Sequence, residues 1–402
     1  MLVIMERPAP TASTWIFHQA VVRSRKAEPT LRKEPTVHGQ YRRHAVHVHR
    51  AVQKDSISAG VLEPGAEQPT HDKIFHDEPS IRRLLGRFEP ARLRVCYEAG
   101  PTGYGLARLA ASMGIDCQVI APSLIPTAPG DRVKTDKRDA RRLARLARAG
   151  ELTPIRVPTE REEAVRDLCR VRIDAVQQRR RARQRLGGFL LRHGRVFREA
   201  GNWTIKHTQW LNSLQFDEPA AQATFGHYRS MLQMADTALK GIDDDLAAWT
   251  VREPFAGPVA RLAAYRGIQP LGGLVLAAEV CDFRRFATAG AFMSWCGLIP
   301  SEYSSGNSTR RGHLTKAGSQ MVRNQLIESA WAYQHRPAVG AGLRARQQQV
   351  STATVARSWA AQQRLCGKFR NLAARKDSKS VVNVAVAREL AGFVWAEMVA
   401  EP

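Results

Sequence analysis

Apolar and polar side chains alternate along residues 92–98, and this period of two predicts a β-strand. A glycine-rich turn follows at residues 99–103, and then a stretch with helical spacing at 104–113 that stops at a glycine. A second strand is predicted at 117–121. Strand, helix and strand joined by short connections are typical of a βαβ unit with a parallel sheet. Two further elements are predicted upstream: a strand at 44–52 and a helix at 80–87.

Long helical stretches rich in arginine and glutamine follow at residues 162–186 and 224–249. Apolar residues recur there at helical spacing from Val165 onward, which predicts a helical hairpin or a coiled coil. Gly187 and Gly188 predict an interruption of the first helix. These changes in pattern divide the chain into five predicted segments: a disordered extension at 1–43, an α/β domain at 44–150, a helical or coiled-coil region at 151–253, a mostly α-helical, serine-bearing domain at 254–345 and a basic helical tail at 346–402.

The chain carries 61 lysine and arginine residues against 37 aspartate and glutamate residues, a net charge of +24. Such an excess indicates a polyanionic partner, and its spread along most of the chain favours nucleic acid over a membrane surface. No apolar run approaches the length of a membrane-spanning helix, and the N-terminal stretch lacks the apolar core of a signal peptide. A cytoplasmic protein without a membrane partner is therefore expected.

Two aspartates three residues apart, Asp136 and Asp139, lie in a strongly basic segment. Thr135 is the predicted N-cap of their helix, and residues three apart share one helical face. Glu98 ends the strand at 92–98, at the edge where ligands collect in parallel α/β sheets. The three carboxylates are therefore candidate ligands of a divalent metal beside a phosphate backbone. The alternative is that the aspartates only favour the helix macrodipole.

Four serines lie in a loop-like stretch rich in glycine and asparagine: Ser301, Ser304, Ser305 and Ser308. Serine needs activation to act as a nucleophile, and no His–Asp pair is adjacent to these serines in the sequence. On their own they are explained by a polar turn with capping side chains. Basic residues suited to phosphate binding, or to a solvated basic face, follow the serines: Arg310, Arg311, Lys316 and Arg323.

Two blocks of the chain carry a resemblance. The first is Tyr-Glu-Ala-Gly at 97–100 with Lys-Thr-Asp-Lys-Arg-Asp-Ala at 134–140, and the second consists of residues 283–286, 297–306, 310–312 and 315–318. In order and approximate spacing they resemble bacterial insertion-sequence transposases of the bridge-RNA-guided recombinase family. The resemblance implies an RNase H-like DEDD domain of RuvC type, a helical middle region and a mostly α-helical transposase domain that bears a serine.

The resemblance implies that Glu98, Asp136 and Asp139 are three of four acids that bind Mg²⁺ or Mn²⁺. The fourth acid should end the first strand, where this chain has Ala51. Asp55 is the nearest acid, but four residues of extended strand span about 13 Å, whereas metal–carboxylate bonds measure about 2.0–2.6 Å. A weakened or inactive metal site is therefore expected.

The resemblance further implies that one serine attacks a DNA phosphodiester and forms a phosphoserine link. The family's serine precedes a glycine, which matches Ser305, and Ser304 is the alternative. DNA and a structured guide RNA are the implied partners, and the arginine-dense residues 178–186 are suited to a nucleic-acid backbone. Strand exchange between two sites needs more than one active site, so a homodimer or tetramer is expected.

Three functions follow from these interpretations. The first is an insertion-sequence transposase that acts as a site-specific DNA recombinase, with acids from the α/β domain and Ser305 from the C-terminal domain. The second is a catalytically impaired nucleic-acid-binding relative, because Ala51 replaces an expected acid. The third is a Holliday-junction-type metal nuclease, which would use the carboxylates and would not need the serine.

Overall fold

The computed structural model describes residues 2–6, 46–48, 56–63, 65–126, 136–305, 308 and 310–400. For residues 2–6, 46–48, 136 and 137 it describes the backbone alone. The chain divides into two compact units, Met1–Val157 and Pro158–Pro402.

The first unit is built on a seven-stranded mixed sheet with the strand order β4-β3-β1-β5-β6-β7, in which β2 also pairs with β5. Its strands are β1 (Leu2–Glu6), β2 (Val46–Val48), β3 (Ser56–Leu62), β4 (Thr70–Phe75), β5 (Leu93–Glu98), β6 (Asp116–Ile120) and β7 (Pro154–Ile155). The pairs β5–β6 and β2–β5 are parallel, whereas β3–β4, β1–β5 and β6–β7 are antiparallel. The predicted strand–helix–strand unit is present, but the sheet is mixed.

The sequence pattern did not reveal the β3–β4 hairpin. Every residue of β3 after Ser56 is buried, so this strand lacks the alternation that marks a sheet with one solvated face. β4 is mostly polar, and it lies at the edge of the sheet. β1 lies within the segment for which disorder was expected, so the structure differs from that expectation at these five residues. The rest of that segment falls outside the described residues.

Among the described residues of the first unit, three α-helices accompany the sheet: α1 (Glu78–Leu85), α2 (Gly105–Ser112) and α3 (Asp136–Ala149). The described helices and strands of the second unit are α4 (Glu160–Arg192), α5 (Ile205–Ser213), α6 (Pro219–Trp249), α7 (Ala256–Ala263), α8 (Pro270–Val280), α9 (Ala289–Trp295), β8 (Pro300–Glu302), β9 (Arg311–Leu314), α10 (Gln320–Ala330), α11 (Ala341–Gln347), α12 (Thr352–Ala373) and α13 (Lys379–Val399).

Helices α4 and α6 form a long antiparallel arm. At 33 residues, α4 extends for about 50 Å. A seam of buried residues repeats every seven positions in α6, as in a coiled coil: Phe225, Leu232, Leu239 and Leu246. Arg172 Nε donates to Asp243 Oδ1 at 2.5 Å across the two helices. The predicted interruption at Gly187 and Gly188 is wrong, because α4 continues through both glycines to Arg192.

Helix α8 lies at the centre of the core of the second unit, and eight of its eleven residues are buried. Gly272 and Gly273 lie in its first turns. A β-carbon on Gly272 would lie 2.6 Å from Nε2 of Gln325, and one on Gly273 would lie 3.4 Å from Val259. A side chain at position 272 would therefore displace the Gln325 side chain of α10, whereas one at position 273 would make an ordinary contact with α7.

A buried carboxylate connects three helices of the second unit. The Glu397 side chain is fully buried, and it accepts hydrogen bonds from four side chains: Arg261, Tyr265, Thr354 and Arg357. Burial alone would raise the pKa of Glu397, but the hydrogen bonds outweigh this effect and lower the pKa to about 2. The charged form of this carboxylate therefore stabilises the folded state.

Replacing Glu397 with alanine should lower the free energy of unfolding by about 3–5 kcal/mol, because two arginines lose a buried partner. Since the folded-state pKa lies below the ordinary value of 4.5, this stabilisation is complete above that pH and declines as the pH falls towards 2. Urea unfolding at pH 7 and at pH 3 measures both effects, and the loss should be smaller at pH 3. Glu328→Ala, which removes an exposed carboxylate of α10, should change neither value appreciably.

Candidate active-site residues in the two units

Glu98 is the last residue of β5, beside the end of the parallel strand β6. The turn that follows is closed by Tyr97, whose hydroxyl donates to the carbonyl oxygen of Gly103 at 3.1 Å. Glu98 lines a cavity of about 320 Å³ together with His76 and Asp77, and its Oε2 atom is buried. The structure thus places Glu98 at the carboxyl edge of a parallel strand pair, as the sequence predicts.

Asp139 lies at the start of α3 and is 7% exposed, with its Oδ2 atom buried. The neighbouring residues Ala140 and Leu143 belong to the same apolar core as Val95 of β5, so packing fixes the helix against the sheet. Asp139 is not among the described residues that line the cavity beside Glu98. The side chain of Asp136 lies outside the described residues, as do Ala51, Asp55 and Thr135.

Several arginines of α3 hold neighbouring loops of the first unit. Arg145 Nη2 donates to Gln68 Oε1 at 3.0 Å, and Arg148 Nη1 donates to the carbonyl oxygen of Ala66 at 3.1 Å. Arg142 donates to the carbonyl oxygen of Pro126. The basic character of this helix therefore serves the fold in part, and it does not depend on a phosphate ligand alone.

Carboxylate oxygens are the ligands that hard divalent cations prefer, so Glu98 and Asp139 fit Mg²⁺ or Mn²⁺ by donor chemistry. Among the side chains that the structure describes, no three acidic, histidine or cysteine residues form a group that could hold a metal ion. A complete ligand set would therefore have to include residues beyond those described. Asp136 is the candidate from the sequence.

The serine block forms a β-hairpin in the second unit. β8 and β9 are antiparallel, and the pairing extends to Ser305 and Ser308, whose backbones exchange two hydrogen bonds of 3.1 Å. Gly306 and Asn307 lie between these serines in the sequence. Ser304 and Ser305 are both exposed. The hairpin thus presents adjacent hydroxyl groups near its tip, where a large substrate can reach them.

Ser304 has an acidic neighbour that the sequence analysis did not identify. Its hydroxyl donates to Oε1 of Glu302 at 2.8 Å. Residues two apart on a strand share one face, so the spacing from Glu302 to Ser304 was the available signal. A carboxylate that accepts a hydrogen bond from a serine hydroxyl can act as its general base. By geometry, Glu302 is therefore better placed to activate Ser304 than Ser305. The glycine that follows Ser305 favours the other serine.

Three of the four predicted phosphate-binding residues are exposed: Arg310, Arg311 and Lys316. Lys316 has a left-handed backbone with φ of 53°. Arg323 differs from the other three because it is 9% exposed, and its Nη1 donates to the carbonyl oxygens of Cys296 at 3.1 Å and Ala317 at 3.0 Å. Because Arg323 is buried and its Nη1 is engaged by these two bonds, it supports the base of the hairpin and is poorly placed to bind phosphate.

Two glycines, one before β8 and one after β9, allow the backbone segments at the base of the hairpin to approach each other closely. Gly297 and Gly318 have φ of 65° and 63°. A β-carbon on Gly318 would lie 1.8 Å from the carbonyl oxygen of Trp295, and one on Gly297 would lie 2.4 Å from that of Ala317. Both backbone conformation and space therefore require glycine at these positions.

Gly318→Ala should destabilise the second unit by more than the roughly 1–2 kcal/mol that a left-handed backbone costs, because the new methyl group also collides with a backbone oxygen. Urea unfolding measures this loss. Gly367→Ala is the matched control, since Gly367 lies inside α12 with no atom near its added β-carbon. The free energy of unfolding of Gly367→Ala should rise by about 0.5–1 kcal/mol. Equal stability of the two variants would contradict the requirement for glycine at position 318.

The arginine-dense stretch of α4 has two sides. Arg179 and Arg183 are half-buried and lie 3.8 and 3.9 Å from Asp236 of α6. Arg180, Arg181 and Arg185 are exposed. Two arginines thus hold the arm together, while three are available to a polyanion.

Comparison with known proteins identifies the chain. A DEDD transposase profile matches residues 52–194, and a profile described as "Transposase IS116/IS110/IS902 family" matches residues 259–342. The protein y4qE of Sinorhizobium fredii, described as a transposase, is 44% identical over 317 residues, covering 79% of this chain and 77% of its own length. The transposase for insertion sequence element IS1533 of Leptospira borgpetersenii is 34% identical over 337 residues, covering 81% of this chain and 96% of its own length.

These similarities define the chain as a DNA transposase. It belongs to the IS116/IS110/IS902 transposase family, as the sequence resemblance indicated. The match to the DEDD profile indicates use of a divalent metal. Within the part of the chain that the structure describes, no helix is long and apolar enough to cross a membrane.

Proposed function

We propose that this transposase is a site-specific DNA recombinase that cuts and rejoins strands through a phosphoserine intermediate, with Ser305 as the nucleophile. The observation that carries the proposal is the serine hairpin. It presents exposed hydroxyl groups beside the exposed cations Arg310 and Arg311. Tyr303, which is 76% exposed on the same hairpin, is suited to stacking on a base.

Transfer of the DNA phosphodiester to Ser305 needs no further reactant. The Ser305 hydroxyl loses its proton as Oγ bonds to phosphorus, and the phosphodiester bond to one deoxyribose oxygen breaks. That oxygen takes up a proton and leaves as a hydroxyl. Because the phosphoserine retains the phosphodiester energy, a new deoxyribose hydroxyl can displace the serine by the reverse reaction. The exposed cations Arg310, Arg311 and Lys316 would stabilise the charge that develops on the phosphate.

Glu98, Asp136 and Asp139 would hold Mg²⁺ or Mn²⁺ in an RNase H-like domain of RuvC type. The DEDD match, the mixed sheet and the buried carboxylates of Glu98 and Asp139 support this part of the proposal. When bound, the metal supplies positive charge at the phosphate and lowers the pKa of an attacking hydroxyl. The packing of α3 against the sheet holds Asp139 in place, and Glu98 is held at the end of β5.

The exposed arginines of the arm, Arg180, Arg181 and Arg185, are the proposed contacts for a structured guide RNA, which binds basic surfaces mainly through its phosphates. Recombination joins two DNA sites and needs several serines, so the active form is proposed to be a homodimer or tetramer. The target sequences would be specified by the nucleic acid partner.

A specific observation favours a second candidate. Ala51 stands where the resemblance places a fourth acid, and this residue lies outside those that the structure describes. A chain without that acid can retain nucleic-acid binding and lose most of its catalysis. A Holliday-junction-type nuclease receives no such support, because the serine block would have no function in it.

A labelled DNA substrate tests the proposal. The substrate carries a nick close to the cleavage site, so the short product diffuses away and the covalent complex accumulates. Incubation with protein, guide RNA and Mn²⁺, followed by a denaturing gel, should give a labelled band at the mass of the protein plus DNA. Cleaved DNA without any protein-linked band would contradict the serine mechanism and support a nuclease.

A further inference from the structure

A buried glutamate lies next to the exit of the serine hairpin. Glu279 is near the end of α8, and its side chain is 8% exposed. Its Oε2 atom accepts a hydrogen bond from the Ser319 hydroxyl at 3.0 Å. Ser319 is also the N-cap of α10 and accepts from the backbone N–H of Val322 at 3.4 Å. One hydroxyl therefore connects α8 to the start of α10.

The other oxygen of Glu279 faces the arm. Oε1 lies 3.4 Å from Nη2 of Arg170 and 3.9 Å from Nε of Arg166, both on α4. Arg166 also donates to the carbonyl oxygen of Ala278 and to Sγ of Cys281, each at 3.1 Å. A buried carboxylate needs such compensation, since burying an isolated charge is strongly unfavourable.

The turn after α8 is strained. Cys281 has φ of 60° and ψ of −65°, and the backbone N–H of Asp282 donates to the carbonyl oxygen of Val280 at 2.8 Å. This is a tight γ-turn that residues with a β-carbon rarely adopt. Strained backbone persists where surrounding contacts determine it, and the contact from Arg166 to Cys281 is one of them. Arg166 thus contacts both Glu279 and the strained turn that follows it.

Only residues 315–318 separate β9 from Ser319. Two backbone hydrogen bonds join this connection to the residues that precede β8. The N–H of Thr315 donates to the carbonyl oxygen of Ile299 at 3.0 Å, and the N–H of Lys316 donates to the carbonyl oxygen of Gly297 at 3.3 Å. Ser319 is thus the point where the hairpin joins the core of the second unit.

We propose that Glu279 is a positioning residue, which fixes the serine hairpin through Ser319; this role rests on the proposed function of the hairpin. Ser319 could cap α10 without Glu279, since its bond to Val322 uses a lone pair and the bond to Glu279 uses the proton. The Glu279 carboxylate adds a connection from Ser319, at the end of the hairpin, to helices α8 and α4. Its removal should loosen the hairpin and leave α10 formed.

The test is a cycle of S319D, E279Q and the double variant. Aspartate is as good an N-cap as serine, so S319D retains the cap but sets two carboxylates against each other. In the double variant E279Q/S319D, the new amide donates a hydrogen bond to the new carboxylate and restores the connection. S319D should reduce the rate of covalent complex formation about tenfold, and E279Q/S319D should regain most of it.

Hydrogen exchange provides a readout that needs no catalysis. In S319D, the backbone amides of Ser301, Glu302 and β9 should exchange about tenfold faster, while those of α10 stay protected, and E279Q/S319D should restore the protection of the hairpin. If hairpin exchange is unchanged in S319D, or if the whole second unit exchanges faster, the positioning role is wrong. If the unmodified protein forms no covalent complex, the serine mechanism fails, but the exchange result still decides whether Glu279 positions the hairpin.

Discussion

Ser305→Ala is expected to abolish the covalent protein–DNA complex. Loss of a nucleophile typically costs on the order of 10⁴-fold or more in rate, because no other group occupies its position. The measurement is the rate of appearance of the protein-linked band on the nicked substrate. DNA binding, followed by a mobility shift in the same buffer, should stay unchanged, since alanine removes one exposed hydroxyl.

Ser304→Ala is the matched control, because it removes the neighbouring hydroxyl from the same hairpin. It also frees Glu302 from its hydrogen bond, so a modest loss of rate is expected. If Ser304→Ala abolishes the complex and Ser305→Ala does not, the nucleophile is Ser304 and Glu302 becomes its base. If both variants still form the complex, the hairpin does not supply the nucleophile.

Ala51→Asp is expected to strengthen metal binding and to raise the rate of recombination. Removing even an outer partner of a metal ligand typically costs about 10–100-fold in metal affinity or activity, so restoring a direct ligand should gain at least as much. Titration with Mn²⁺, monitored by electron paramagnetic resonance, measures the affinity without requiring catalysis. The rate of covalent complex formation at limiting Mn²⁺ gives the second measurement.

Ala51→Asn is the control for this prediction, since asparagine has nearly the same size as aspartate and no charge. It should leave the Mn²⁺ affinity close to that of the unmodified protein. Equal affinity in all three proteins would show that position 51 lies outside the metal site. Full recombination by the unmodified protein, with no gain from Ala51→Asp, would rule out a weakened site.

The sequence predicts those helices and strands that have one buried and one solvated face, because apolar and polar residues then recur with the period of the element. The predictions of β5, β6 and the α2 helix between them are confirmed, and the long helices α4 and α6 form the expected hairpin. β3 is not predicted, because both of its faces are buried and its apolar and polar residues therefore do not alternate. Gly187 and Gly188 suggest an interruption, but α4 tolerates them since the packing of the arm stabilises the helix.

For the candidate site, residue types were predictable and their surroundings were not. Glu98 and Asp139 lie on the predicted elements. Arg323 looks in sequence like any other basic residue of the block, and only the structure shows it buried against two carbonyl oxygens. Glu302 lies only two residues before Ser304, whereas Glu279 meets Ser319 through a tertiary contact between residues 40 positions apart.

The seven-residue repeat of the arm restricts how its length can change during evolution. Each residue added to a helix turns everything beyond it by about 100°, so a single insertion would rotate the apolar seam away from its partner. Insertions or deletions of seven residues in both α4 and α6 would preserve the seam and change the reach of the arm by about 10 Å. The length of the arm is thus restricted to steps of about two helical turns.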